Sequence, residues 1–155
     1  MFETIQLFVK GEPKGQPRAR AFARGGMVRM YDPGTAEGWK SAIADEWRRS
    51  APAMPKIETA VSLTLVFFMP RPKSHFNKNG LKPAAPNWFE KKPDSDNLAK
   101  AVMDCLTQLG IWQDDDQVVI LKVLKQYAAS DAGCEITVKD AAYFFDSHLQ
   151  RCKFD

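Results

Sequence analysis

The chain has 155 residues, 45% of them hydrophobic and 26% charged, with a formal net charge of +3. That length favours one domain with a core of its own, and so small a net charge excludes nucleic-acid binding by bulk charge, leaving the placement of charges to decide. Residues 1–20 carry charges throughout and no stretch approaches the roughly 18 apolar residues of a membrane span, while Cys105, Cys134 and Cys152 form no CxxC pair, so a soluble cytoplasmic protein with reduced thiols is expected.

Residues 4–10 alternate, with Ile5, Leu7 and Val9 on one face, and read as a strand. A basic turn, GEPKGQPRAR, follows, and AFAR and MVRM then flank Gly25-Gly26 as a hairpin. Thr35 can cap a helix over 36–49, whose Trp39, Ala42, Ile43 and Trp47 share one face until Pro52 and Pro55 stop it. TAVSLTLVFFM, residues 59–69, is apolar on both faces and predicts a central strand covered on each side. Residues 70–92 hold four prolines and predict a long loop, and loops of that length tend to be functional. A helix over 97–109 and strands over 118–125 and 134–139 complete an α+β domain. The domain is expected to span residues 1–140; in the remaining tail, 141–155, which helix or irregular chain would both suit, Tyr143, Phe144 and Phe145 need cover from elsewhere, a second subunit included.

The chemistry concentrates in KKPDSDNLAK, residues 91–100. Asp96 suits an N-cap, and Leu98, Val102, Cys105, Leu106 and Leu109 form the buried stripe behind it. Asn97, Lys100 and Asp104 fall on the opposite face, and Asp94 can point to the side of Asp96 from extended backbone. A second acidic run, Asp114, Asp115 and Asp116, lies between this helix and the next strand. Twelve helical residues advance about 18 Å at ~1.5 Å each, and seven extended steps from Gln108 reach about 23 Å at ~3.3 Å each, so a third carboxylate can return to the first pair with little slack. Three close carboxylates repel unless a cation sits among them, and an all-oxygen set suits Mg²⁺, with Mn²⁺ as a substitute. The plain alternative makes Asp96 only a cap, Asp94 a turn residue, Lys100–Asp104 a surface pair and the acidic run a solvated turn. A calcium loop is excluded, because Leu98 and Ala99 stand where its pattern needs Asp or Asn and then Gly. No GxxxxGK[ST] phosphate loop is present.

Basic residues interleave with aromatics over 71–92: Arg71, Lys73, Lys78, Lys82, Lys91 and Lys92 with Phe76, Trp88 and Phe89. Such a strip suits phosphate contacts with stacking on unpaired bases, and Lys14, Arg18 and Arg20 extend it; a solvated loop with tucked aromatics is the alternative. Lys122, Lys125 and Tyr127 extend this surface or shield a sheet edge. His75 has no partner at ligand spacing and reads as a loop residue.

The order GQPRAR, FFMPRPKSH, KPDSDNLAKAVMDCL, GIWQDDDQVV and Lys125-Gln126-Tyr127 resembles the RusA family of Holliday-junction resolvases over most of residues 5–139. The resemblance implies a mixed sheet packed on two main helices, in a homodimeric Mg²⁺-dependent endonuclease that cuts four-way DNA junctions by paired symmetric incisions. It places the catalytic, metal-holding aspartates on Asp94, Asp96 and the acidic run, there on Asp115 with Asp114 and Asp116 as competitors, and the active-site lysine on Lys100. Asn97 is then supporting, Asp104 pairs with Lys100, and Lys14, Arg18, Arg20, Arg71, Lys73, Lys91, Lys92 and Lys125 become the expected DNA contacts. Two rivals stand beside this reading: a nuclease for other branched DNA, and an inactive junction-binding protein.

Overall fold

The computed structural model describes residues 2–17, 20–24, 27–31 and 36–144. A four-stranded mixed sheet is built from β1 (Ile5–Lys10), β4 (Val61–Met69), β7 (Val118–Tyr127) and β8 (Gly133–Asp140) in the spatial order β1-β8-β4-β7. β8 is antiparallel to both neighbours, whereas β4 and β7 run parallel. The helices α1 (Glu37–Ser50) and α2 (Ser95–Gln108) pack side by side on one face of this sheet. The α+β class, the mixed sheet and the two helices are as expected. None of the described helices is long and apolar enough to cross a membrane.

Periodicity explains the core. β1 turns Leu7 and Val9 inward, and β4 turns Val61, Leu63, Leu65, Phe67 and Met69 the same way. Onto them α1 lays Trp39, Ile43 and Trp47, and α2 lays Leu98, Ala101, Val102, Cys105 and Leu106, each set on one helical face. Each large aliphatic side chain so covered contributes about 1.5–3 kcal/mol. Cys105 donates its Sγ–H to the Lys40 carbonyl at 3.3 Å where the helices meet, and burial pushes its thiol pKa up. Cys134 is likewise buried and free, with its pKa driven up by burial.

Several expectations need correction. β4 is fully covered on one face only: Thr64, Val66 and Phe68 on the other are half-buried, because both helices take the same side. The α1 N-cap is Ala36, which has no capping side chain, and Thr35 lies outside the described residues. Residues 70–92 are not structureless. They contain a 3-10 turn at Lys73–His75 and a small hairpin of β5 (Phe76–Asn77) and β6 (Gly80–Leu81), and Trp88 bridges to Gln126 at the sheet edge. The N-terminal hairpin forms as β2 (Arg20–Arg24) and β3 (Met27–Tyr31), around Gly25-Gly26, which lie outside the described residues. Tyr143 and Phe144 are exposed, and residues 145–155, Phe145 among them, are outside the described set.

Candidate active site

Because β4 and β7 are parallel neighbours joined through α2, the helix runs back against both strands and begins at their carboxyl ends, where α/β crossovers commonly bind ligands. Its first residue is Ser95. The N-cap is therefore Asp94 rather than Asp96, which lies in the first helical turn. Asp94 is extended, and its side chain makes no capping hydrogen bond. Both carboxylates are exposed and take no hydrogen bond or ion pair among the described residues. A helix N-terminus favours negative charge by its dipole and free N–H groups, which makes it a stable place for two unpaired acids.

Asp96, Lys100 and Asp104 recur every four residues and form a charged stripe down α2, exposed at Asp96 and Lys100 and half-buried at Asp104. The Lys100 ammonium lies 3.4 Å from the Asp104 carboxylate. That exposed pair is worth a few tenths of a kcal/mol at most, so Lys100 remains available to another anion.

The acidic run is sorted by the turn that carries it. Asp114 caps a 3-10 turn over Asp115–Gln117, accepting from the Asp115 N–H at 2.7 Å. Asp114 and Asp116 line a cleft with Lys56, Glu58, Gln113 and Gln117. Asp115 instead feels the charges of Lys100 and Asp104 on α2. Partial burial holds its carboxyl above the ordinary carboxylate range; Asp114, by hydrogen bond and charge, and Asp104 push the same way, while Lys100 opposes them.

Among the described residues no three His, Cys, Asp or Glu side chains form a group that could hold a metal ion by themselves, and the charges Asp115 feels on α2 are those of Lys100 and Asp104. The connection that carries Asp115 is firmly anchored. Gln117 Nε2 donates to the carbonyls of Ile57 and Thr59 at 3.1 Å each, Trp112 is buried with its Nε1–H on Thr107 Oγ1 at 2.7 Å, and Ile57 N–H bonds the Ile111 carbonyl at 2.7 Å. These contacts fix the turn at the amino end of β7. The donor set still suits a hard divalent cation, since Asp94 and Asp96 offer unpaired oxygens and Mg²⁺ is usually held by one or two carboxylates, waters and substrate phosphate.

The expected DNA contacts fall into groups. Lys73, Lys91 and Lys92 are exposed, and Lys14 is exposed in a 2.9 Å pair with Glu12. Arg18 and the side chain of Arg20 lie outside the described residues. Arg71 and Lys125 are half-buried and engaged with the protein. Arg71 donates to the carbonyls of Ala128 and Pro86, at 3.2 and 2.9 Å, and Lys125 to those of Lys91 and Pro93, at 2.8 and 2.9 Å. His75 stacks edgewise on Tyr127 and sits 3.3 Å from Arg71; burial, then the charge of Arg71, holds its pKa below the usual value.

One contact had no signal in hydropathy. The N-terminal strap crosses the start of α2, with Gln16 N–H on the Asn97 carbonyl at 2.9 Å. A side chain at Gly15 would meet Pro93 Cβ at 3.1 Å and Asn97 Cβ at 3.2 Å. Gly15, the second glycine of GEPKGQPRAR, was the available clue.

Residues 10–139 match the family described as Endodeoxyribonuclease RusA. The chain is 34% identical over 143 residues to the protein YqaN of Bacillus subtilis (strain 168), covering 90% of this chain and 99% of that one. It is 40% identical over 50 residues to the crossover junction endodeoxyribonuclease RusA of Escherichia coli (strain K12), spanning 32% of this chain and 42% of that protein. The same extent and identity are found with the enzyme of that name from Enterobacteria phage 82. With the match running from the end of β1 through β8 and containing every carboxylate of the site, this chain belongs to the RusA endodeoxyribonuclease family.

Proposed function

We propose that this chain is a Mg²⁺-dependent, structure-specific endodeoxyribonuclease that resolves four-way DNA junctions by paired symmetric phosphodiester hydrolysis. One observation carries the reading: two unpaired carboxylates, Asp94 and Asp96, open the same helix that presents Lys100, whose charge Asp115 of the next connection also feels. The crossover junction endodeoxyribonucleases among the relatives support the choice of substrate.

In this reading Asp94, Asp96 and Asp115 hold the divalent cation, which when bound polarises the scissile phosphodiester. The chain's own residues do the rest. Lys100 places a positive charge beside the phosphate as negative charge builds up on its oxygens. Asp104 keeps the Lys100 stem directed along the helix. Lys14, Arg18, Arg20, Lys73, Lys91 and Lys92 hold the backbone of the DNA arms, while Arg71 and Lys125 keep the basic strip in shape. A two-fold homodimer sets two such sites on a substrate with the same symmetry, and the protein acts in the cytoplasm.

A second reading has one observation in its favour: Asp115 meets Lys100 and Asp104 rather than a gathered trio. It makes the protein an inactive junction binder. Cleavage of four-way, three-way and linear duplex DNA, with Mg²⁺ and with chelator, decides between these readings. Mg²⁺-dependent cutting of the four-way junction alone is expected. Equal rates on all three substrates point to a nuclease for other DNA, and binding without cutting points to the inactive reading. Asp96→Asn is expected to keep junction binding and lose cutting.

A further inference from the structure

We infer that Lys125 is a positioning residue for the acidic site: its ammonium staples the segment that delivers Asp94 to the start of α2. The inference rests on the endonuclease reading above and reassigns a residue whose charge and place in sequence suggest a DNA contact.

Lys125 lies on β7 level with Phe67 of β4, and so on the helix-covered face of the sheet. From there its side chain reaches the approach to α2. Nζ donates to the Lys91 carbonyl at 2.8 Å and to the Pro93 carbonyl at 2.9 Å, and stands 5.3 Å from the centre of the Phe89 ring. Its main chain joins in, because the Phe89 N–H donates to the Lys125 carbonyl at 3.2 Å. One residue on a strand thus holds three points of a five-residue segment, and the next residue along is Asp94. The Lys92–Pro93 peptide within that segment is cis.

The far end of the strip is fixed in the same manner. Arg71 donates to Pro86 and Ala128 carbonyls and lies over the Tyr127 ring at 5.2 Å, and the Tyr127 N–H donates to the Asn87 carbonyl at 2.9 Å. Residues 86–93 therefore run as an outer strap along β7, pinned by a cation at each end. No carboxylate pairs with Lys125 among the described residues; backbone oxygens take two of its three donors. An ammonium held this way fixes main chain, and main chain fixes the Cα of Asp94. Groups that orient metal-binding or catalytic side chains typically change metal affinity or activity about 10- to 100-fold when removed.

The test is Lys125→Met, which keeps the stem and removes the donors, with Lys125→Arg as the variant that keeps a donor. Hydrogen exchange of the DNA-free full chain should quicken at the hydrogen-bonded amides that flank the segment, Phe89 and Leu98, in Lys125→Met. Single-turnover junction cleavage in Mg²⁺ should slow about 10- to 100-fold, with junction affinity and its salt dependence unchanged, and Lys125→Arg should recover part of the rate. Unchanged exchange at Phe89 and Leu98, or a wild-type cleavage rate, overturns the inference. So does a loss of junction affinity with a shallower salt dependence, which would mark a phosphate contact. A wild-type protein that leaves junctions uncut in Mg²⁺ overturns the endonuclease reading itself, and the exchange data tell that failure apart from failure of the staple.

Discussion

Asp115 feels the charge of Lys100 from a different element, the acid on the 3-10 turn before β7 and the base on the exposed face of α2. Burial and two neighbouring acids hold the Asp115 carboxyl above its ordinary range even with Lys100 nearby. A carboxyl raised in the fold stabilises only while protonated, so its contribution is present below the unfolded value near 3.9 and is lost as pH rises through the folded one. Asp115→Asn should therefore melt slightly higher than wild type at pH 7 in EDTA, by no more than about 0.5 kcal/mol, and equally at pH 3. Junction cleavage by the same variant should fall about 100-fold or more. Paired melts at the two pH values and a cleavage assay check both halves.

Gly133 is closed over by β1. A Cβ there would lie 2.5 Å from Phe8 Cζ and against the Val9 carbonyl oxygen, while Phe8 itself leans on Phe68 with ring centres 5.9 Å apart. Gly133→Ala should cost about 1–3 kcal/mol by overpacking, a drop of roughly 2–12 °C in Tm for a domain of this size. Adding Phe8→Ala should return only part of the loss, because the Val9 oxygen is backbone and stays where it is. Thermal melts of the single and double variants read this directly.

Where hydropathy has a period, the sequence was legible. Leu7 and Val9 in β1, the alternate residues of β4 and the Leu98–Leu106 stripe of α2 all bury as their spacing predicts. The clustering of the candidate charged residues outside those periods could be read as well. The anchoring of the turn that carries Asp115 could not, because the hydrogen bonds of Gln117 to Ile57 and Thr59 join residues about 60 apart in sequence. The carbonyl partners of Arg71 and Lys125 were hidden for a related reason: a basic side chain looks the same in sequence whether it meets a phosphate or a carbonyl. The open face of β4 was hidden too, because an apolar strand does not say which face the helices will take.

The strap over α2 depends on Gly15 having no side chain. The spaces of 3.1 Å to Pro93 and 3.2 Å to Asn97 leave Ala tolerable with a small shift and exclude a branched side chain. Gly15→Val should lift the strap and break the bond from Gln16 to the Asn97 carbonyl, worth about 0.5–1.5 kcal/mol. The strap carries Lys14 and leads into Arg18 and Arg20, so junction affinity should weaken by roughly 2- to 13-fold if that energy is lost to binding. Gly15→Ala should stay near wild type. Competition binding to a four-way junction in chelator, where cutting is prevented, separates the two variants.

Lys91 and Lys92 differ from Lys125 in what is left for DNA. Both are exposed, and they immediately precede the Pro93–Asp94 step, so a strand engaged by Asp94 and Asp96 passes close to them. A lysine that neutralises a phosphate releases condensed counterions, and each such contact adds about 0.9 to the slope of log affinity against log salt on duplex DNA. Lys91→Ala and Lys92→Ala should each lower that slope by about 0.9, and together by about 1.8. The loss of affinity should be similar on junctions of different base sequence, because phosphate contacts read no bases. Lys125→Met, measured alongside, should leave the slope where it was. A salt titration of the three variants thus separates lysines that hold DNA from the one that holds the strip beneath it.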